Sequence, residues 1–296
     1  GGIIGLCSAY YLLKEGHQVT VIDQSNMDTG ASYVNAGYVT PSHFISLASP
    51  GIITKGLKWM FNSTSPFYVK PRLNYDFLKW SWAFKKSATA QKVEKAIPVI
   101  KDINLLSREL YEDLKSSGDF DFFYKNKGLL MYYQTEKAGE EEWKVGQRAI
   151  QEGLKVENLS KEQVQKIEKN VDLNIKGAVY YHSDAHMTPN EFMPQLKTYL
   201  KKNGVSILGN EEVLDIMVAN QKITGIKTTN LHIKSDEFVI ATGSWSQNLA
   251  KKLEKLSKEY NLPVIILGKS YKPDVGYTEG STSILTSYYL EKNNVN

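Results

Sequence analysis

The tightest constraint on this chain lies in its first twenty-three residues. Gly1-Gly2-Ile3-Ile4-Gly5 opens a segment, residues 3–14, in which apolar groups run all round a helical period. Glu15-Gly16 stops it, and Val19-Thr20-Val21-Ile22-Asp23 follows as a short apolar run ending in an acid. A helix apolar on every side is buried on every side. A strand without alternation has both faces covered, as inside a parallel sheet. In the fingerprint G-x-G-x-x-G, one glycine makes the tight turn, one lets the backbone approach a pyrophosphate and one allows close helix packing. An acid at the tip of the next strand accepts hydrogen bonds from a ribose hydroxyl. Gly2 and Gly5 fill the second and third roles, and Asp23 stands near the acid's spacing. The first glycine and its strand are not in the sequence, so the motif reads as truncated. An ordinary Gly-rich turn is the alternative.

Composition narrows the class. At 296 residues the chain has room for about two domains or one interleaved α/β unit. With 42% hydrophobic and 23% charged residues, it carries enough apolar material for a core and is not a disordered chain. Lys plus Arg number 36 against 32 Asp plus Glu, too small an excess for a polyanion-binding face, so nucleic acid is not an expected partner. Arg72, Arg108 and Arg148 are the only arginines, which makes bidentate carboxylate forks scarce. A lone cysteine, Cys7, excludes an internal disulfide and suits a reducing compartment. No apolar run reaches the ~18 residues of a membrane-spanning helix. With no signal-peptide pattern at Gly1, the expected location is cytoplasmic.

Along the chain, residues 24–50 are rich in small and hydroxyl residues and read as a long functional loop, with Thr29-Gly-Ala-Ser-Tyr-Val-Asn-Ala-Gly37 able to present backbone amides to a flat ring or a pyrophosphate. Residues 51–90 predict short helices and turns, and 91–117 a helix with Pro98 as kink or start. Strands are predicted at 128–133, 177–181, 205–208, 212–218, 223–228, 231–233 and 237–240, the last entering Ala241-Thr242-Gly243. Helices are predicted at 136–152 and 190–203, with 182–189 a loop. Residues 251–296 read as a separate helix, strand, loop and helix unit. The simplest architecture is an α/β dinucleotide-binding domain interrupted by an α+β substrate domain.

Several separated segments together resemble one family. Gly1–Gly5, Asp23, the Gly30–Gly37 loop, Ala48-Ser-Pro-Gly51, Lys58-Trp-Met-Phe61 and Ala241-Thr-Gly-Ser-Trp245 are similar, in the right order over about residues 1–253, to the FAD-dependent D-amino acid oxidase superfamily, nearest its bacterial D-amino acid dehydrogenase branch. The resemblance implies a Rossmann-like FAD-binding domain in two parts, 1–50 and 177–253, around a mainly substrate-binding domain at 51–176. It implies oxidation of a D-amino acid to an imino acid, hydrolysed to a 2-oxo acid and ammonia, with electrons passed to quinone or another acceptor. It places Gly2 and Gly5 at the FAD pyrophosphate and Asp23 at the adenosine ribose. Ala31, Ser32, Asn35, Ala36 and Gly37 lie along the loop near pyrophosphate and flavin, the Val213 backbone meets the adenine, and Ala241, Thr242, Gly243 and Trp245 form a second cofactor turn.

His43, just after that loop, and His186 are the candidate catalytic residues. His182-Ser-Asp-Ala-His186 offers only two histidines and one acid, and no metal is expected, since structural metal sites take about four ligands. Trp59, Phe61, Trp80, Trp82 and Phe84 alternate with Lys55, Lys58, Lys79, Lys85 and Lys86. That mixture suits either a buried aromatic core with solvated lysines or peripheral contact with the inner face of the cell membrane.

The tail, residues 254–296, resembles instead the C-terminal domain of UDP-glucose/GDP-mannose 6-dehydrogenases through Gly268-Lys-Ser-Tyr-Lys-Pro273, which implies a phosphate-facing role for Lys272. Two incomplete patterns without a linker predict a joined or fused sequence, inactive as it stands if the join has removed essential strands. Two other activities remain open: a non-catalytic nucleotide or nucleotide-sugar binding module, and glycine or sarcosine oxidation.

Overall fold

The computed structural model describes residues 1–51, 74–220, 222–246 and 249. The candidate site rests on two α–β units laid side by side. Helix α1 (Ile3–Lys14) leads into β1 (Thr20–Ile22). Far along the chain, α6 (Pro189–Lys202) leads into β8 (Ser206–Leu208), and the two strands pair in parallel with Val21 opposite Ile207. Such a pair is too short to stand alone. It is held by the helices, whose buried faces merge in one core of Leu6, Tyr10, Phe192, Leu196 and Leu200.

Phe120 and Phe122 complete that core from the loop after α3 (Ala90–Ser116), with the Phe122 and Phe192 rings 4.8 Å apart and Phe120 packed at a tilt against Tyr10 and Tyr199. Each such side chain removed from water contributes roughly 1.5–3 kcal/mol. The long helix α3 therefore serves the same core as α1 and α6, although its sequence lies between them. Thr89 caps it, and Pro98 falls inside it rather than at its start. Helix α2 (Tyr75–Ser87), one continuous helix where short pieces are predicted, precedes it behind an Asn74 cap.

Three further sheets are antiparallel. β4 (Leu129–Tyr133) and β5 (Val156–Ser160) flank β6 (Gly177–Tyr181), with α4 (Glu136–Gln151) and α5 (Lys161–Ile167) packed against them. β2 (Tyr38–Val39) and β3 (Tyr124–Lys125) flank β7 (Ala185–Met187). β9 (Val213–Ala219), β10 (Lys222–Thr228) and β11 (His232–Lys234) form a meander.

Two further expectations change. The predicted loop 182–189 contains β7, the central strand of its sheet, because β2 and β3 supply partners on both sides. The predicted strand 237–240 is not formed: no described strand lies beside it, and apolar composition without a partner leaves an extended segment. The Lys58–Phe61 segment, Trp59 and the whole predicted unit at 251–296, Lys272 included, lie outside the described residues.

Gly37, where the loop of small residues enters β2, has φ +71, and a Cβ there would collide with the Met187 carbonyl, whose own amide donates to Gly37 O at 2.9 Å. Gly30 in the same loop has φ +97 but open space around it. Left-handed strain alone costs ~1–2 kcal/mol at either position. Gly37→Ala is therefore expected to lose more stability in urea unfolding than Gly30→Ala, and equal losses would remove the steric account of this junction.

Candidate functional site

The start of α1, the tip of β1, the 30–37 loop and the 241–245 turn come together in space. Gly2 has no side-chain cap, and the Ile3 amide next to it donates to Ser32 Oγ at 3.0 Å, so the loop is fastened onto the positive end of the helix. A Cβ on Gly2 would come within 3.2 Å of that hydroxyl. On Gly5 it would meet only Ala241 Cβ at 3.6 Å, an ordinary contact. The close helix packing expected at Gly5 is thus not what the structure displays; there the backbone of the helix simply faces the 241–245 turn.

Asp23 closes the arrangement. Its Oδ2 lies 2.9 Å from the Gly1 amino nitrogen, and its Oδ1 accepts the Ser25 amide at 2.8 Å and hydroxyl at 2.7 Å. Partial burial works to raise the pKa of this carboxyl. The hydrogen bonds from the Ser25 hydroxyl and amide work against it. Tyr33 is buried in the loop between Ser32 and Gly37, and its hydroxyl has no hydrogen-bond partner among the described residues. Burial, with Asp28 and Asp23 nearby, pushes that phenol up to about 12, so it remains a neutral donor. An orphaned donor beside an ionised acid at a helix N-terminus suits the hydroxyls and phosphates of a dinucleotide.

The remaining predicted residues divide into two groups. Asn35 ties its own loop, donating to Ala31 O at 2.9 Å and accepting the Gly37 amide at 2.8 Å, while Ala31 and Ala36 are exposed. Thr242 accepts the Trp245 amide at 3.0 Å and bonds Ser246, with Gly243 at φ +51 between them and the Trp245 ring exposed. Val213 begins β9, two residues after Glu211, whose amide donates to Asp23 O at 2.9 Å. This links the predicted adenine strand to the predicted ribose acid.

The histidines are apart. His186 is exposed on β7, its ring between Tyr38 and Phe123. His182 Nε2 is 2.9 Å from Glu157, and Asp184 turns inward to Ser42, so the three metal candidates of that segment face three different partners. His43 is exposed, its Nδ1 3.1 Å from Ser42 Oγ.

Sequence reasoning did not single out Glu211. It is buried, accepting Thr228 Oγ1 at 2.6 Å, the Asn230 side-chain amide at 2.8 Å and the Asn230 backbone amide at 3.2 Å. It pins the β10–β11 turn beneath the tip of β1. These donors, Thr228 foremost, hold its carboxyl below the ordinary glutamate value of 4.5. A depressed folded pKa gives stability that is present above the unfolded value and lost as pH falls through the folded one. Urea unfolding of Glu211→Gln beside the unaltered protein should therefore show a stability gap at about pH 6 that narrows as pH drops below the ordinary glutamate range. A gap constant with pH would show that the Glu211 charge is not what pins this turn.

The pattern of the FAD dependent oxidoreductase family matches residues 1–271, running beyond residue 253 into the segment assigned above to a second resemblance. The D-amino acid dehydrogenase of Helicobacter pylori is 33% identical over 244 residues, 82% of this chain and 58% of the relative. That of Vibrio atlanticus is 29% identical over 282 residues, 91% of this chain and 67% of the relative. Among solved structures, glycine oxidase from Geobacillus kaustophilus superposes with a TM-score of 0.61 at 20% identity, over 86% of this chain and 56% of that one. L-proline dehydrogenase from P. horikoshii gives 0.58 at 20% identity, over 86% and 54%. The chain thus spans a little over half the length of these Helicobacter and structural relatives. At that level of identity the solved structures establish a shared fold, of mixed α/β type with a Rossmann-like FAD-binding part. The match over residues 1–271, joined to the Helicobacter similarity, makes this chain a member of the FAD-dependent oxidoreductase family.

Proposed function

We propose that the chain binds FAD across the start of α1 and acts in the oxidation of D-amino acids. One observation carries this reading: the bare helix start, the Asp23 carboxylate 2.9 Å from Gly1 and the Ser32 hydroxyl 3.0 Å from the Ile3 amide converge on one spot, where a dinucleotide's phosphates and ribose find a positive helix end and an acceptor. Asp23 accepts the ribose hydroxyls. Gly2 and Gly5 keep the helix start clear for the pyrophosphate, and the 31–37 loop with the 241–245 turn borders the ring system. The Val213 backbone, positioned through Glu211, meets the adenine. Bound there, FAD supplies a hydride acceptor for the α-carbon of the amino acid, and water then converts the imino acid to a 2-oxo acid and ammonia. The protein's part is binding and orientation, which is why no catalytic triad is needed.

The test is uptake of FAD by the purified chain, followed by flavin absorbance and fluorescence quenching. The unaltered protein is expected to be yellow. Asp23→Ala is expected to weaken FAD binding at least about tenfold, the loss of a charge-assisted hydrogen bond. A colourless protein that takes up UDP-sugars but no flavin would replace this reading with that of a nucleotide-sugar binding module. A panel of D-amino acids against glycine and sarcosine, with dye reduction as the readout, separates the dehydrogenase from a glycine oxidase-like activity.

A second observation favours an acceptor in the membrane. Among the described residues no helix is long and apolar enough to cross a bilayer, but α2 exposes Tyr75, Leu78 and Trp82, the last 60% exposed with Lys86 Nζ 5.4 Å from its ring. Lys79 and Lys85 lie on the same helix. Aromatic residues flanked by lysines fit the headgroup level of an anionic surface, here the inner face of the cell membrane, with quinone as acceptor. Sedimentation with vesicles containing anionic lipid should carry down the protein, and Leu78→Ser with Trp82→Ser should abolish it. Equal sedimentation of both would remove the membrane reading and leave FAD binding untouched.

A further inference from the structure

A turn whose first three residues are buried and whose fourth is exposed follows the cofactor loop. Residues 40–43 continue from β2, closed by the His43 amide donating to Thr40 O at 3.0 Å. Asp184, only 1% exposed, reaches this turn from the segment before β7: its Oδ1 accepts the Ser42 amide at 3.0 Å and the Ser183 hydroxyl at 3.0 Å, and its Oδ2 accepts the Ser42 hydroxyl at 2.5 Å. Asn104, buried on α3, extends its side-chain amide to His43 O at 3.3 Å and Thr40 O at 3.5 Å. Arg108, one turn further along α3, holds Ser183 O at 2.9 Å. The segment before β7 and helix α3 thus grip four residues of chain, and the one ionisable side chain the turn carries, His43, is left exposed.

The hydrogen-bond directions fix more than position. The 2.5 Å contact is in the range of a hydroxyl donating to an ionised carboxylate. With Asp184 ionised, both oxygens can only accept, Oδ1 from the Ser42 amide and the Ser183 hydroxyl and Oδ2 from the Ser42 hydroxyl. A serine hydroxyl has a single proton. Having given it to Asp184, Ser42 Oγ can only accept at its 3.1 Å contact with His43 Nδ1, so Nδ1 must carry the hydrogen. In a neutral imidazole the other nitrogen, Nε2, is then a bare acceptor.

We propose that Asp184, acting through Ser42, is a positioning residue that locks neutral His43 in its Nδ1–H tautomer, so that Nε2 accepts a hydrogen bond from the ammonium group of the amino-acid substrate. The recognition of an amino acid rests on the function proposed above; the tautomer does not. An amino acid brings a donor group and a carboxylate, and an outward imidazole acceptor at the end of the cofactor loop discriminates for the donor.

Long-range ¹H–¹⁵N spectra of the full chain read the tautomer directly, with His43→Gln identifying the His43 signals among the five histidines. The expected pattern in the unaltered protein is Nδ1–H; an Nε2–H pattern overturns the proposal. In Asp184→Asn, the amide oxygen keeps the Ser42 and Ser183 donors and the NH₂ group replaces Oδ2, donating to Ser42 Oγ. The serine proton is thereby released toward Nδ1, and His43 should switch to Nε2–H. Ser42→Ala, which removes the intermediary altogether, should leave a mixture of the two forms. Retention of the pure Nδ1–H form in both variants overturns the relay.

For the ligand, saturating 2-aminoisobutyrate, which has an ammonium group but no α-hydrogen to lose, should shift the His43 Nε2 resonance of the FAD-loaded protein, and isobutyrate, without the ammonium group, should not. An unmoved resonance with 2-aminoisobutyrate overturns the substrate contact. A chain that takes up no FAD overturns the proposed function instead, while its tautomer still decides the relay.

Discussion

The peptide unit of Asp23 is the joint on which the candidate site depends. Its N–H donates to Leu208 O at 3.0 Å and its carbonyl accepts the Glu211 amide at 2.9 Å, so the end of β1 is stitched to the segment leaving β8. Its carboxylate faces the opposite way, to Gly1 and Ser25. One residue therefore sets the distance between the helix start and the meander β9–β11. The joint works only because α1 and α6 are already held by their shared aromatic core, since a parallel pair of three-residue strands has too little hydrogen bonding to define its own register against solvent. Burial supplies the energy here, and the hydrogen bonds at Asp23 supply the geometry.

How much of this was legible from the residues follows from which interactions were local. Helix α1 was readable because its apolar residues leave no solvent face, and the ends of α1, α4 and α6 because Gly16, Gly153 and Gly204 follow them with φ near +90. The strand ending in Asp23 was readable as a short apolar run, but with Thr20 exposed and β8 its one described partner it is not the doubly covered interior strand that its lack of alternation predicts. By contrast β2, β3 and β7 are two or three residues each, and nothing in so short a run distinguishes a strand from a loop until its partners are known. The converse error at 237–240 has the same origin: a good strand composition without a neighbour is not a strand. Helix α5 did leave a signal, the Ser160–Gln163 capping box ahead of Val164, that could have placed both it and the end of β5.

The candidate site was legible to the same extent. Gly2 and Asp23 are separated by one helix and one strand, a spacing a sequence can carry. Ser42 and Asp184 are separated by 142 residues, and no spacing rule joins them. The proximity of His43 and Asp184 in the folded chain arises because β2 and β7 pair with Val39 opposite Ala185. That pairing in turn depends on Gly37, whose missing Cβ makes room for the Met187 carbonyl.

Two buried carboxyl groups in this fold carry opposite signs of linkage, and the contrast separates a structural anchor from a costly one. Glu211 is held below its ordinary range by neutral donors, so its ionised form favours the folded chain at neutral pH. Asp184 is different: burial raises its pKa, and the hydrogen bonds from Ser42 and Ser183, with His43 nearby, only partly offset that rise. A carboxyl whose folded pKa lies above its unfolded one binds more protons when folded, so stability from this group is present at low pH and falls as pH rises through the interval between the two values. Keeping Asp184 ionised thus costs the fold something at neutral pH. The Ser42 amide and the Ser183 hydroxyl could have been satisfied by a neutral amide at position 184. A neutral amide could not, however, have claimed the Ser42 proton and so dictated which nitrogen of His43 carries hydrogen. The cost is understandable if the state of His43, rather than the shape of the turn, is what the buried charge maintains.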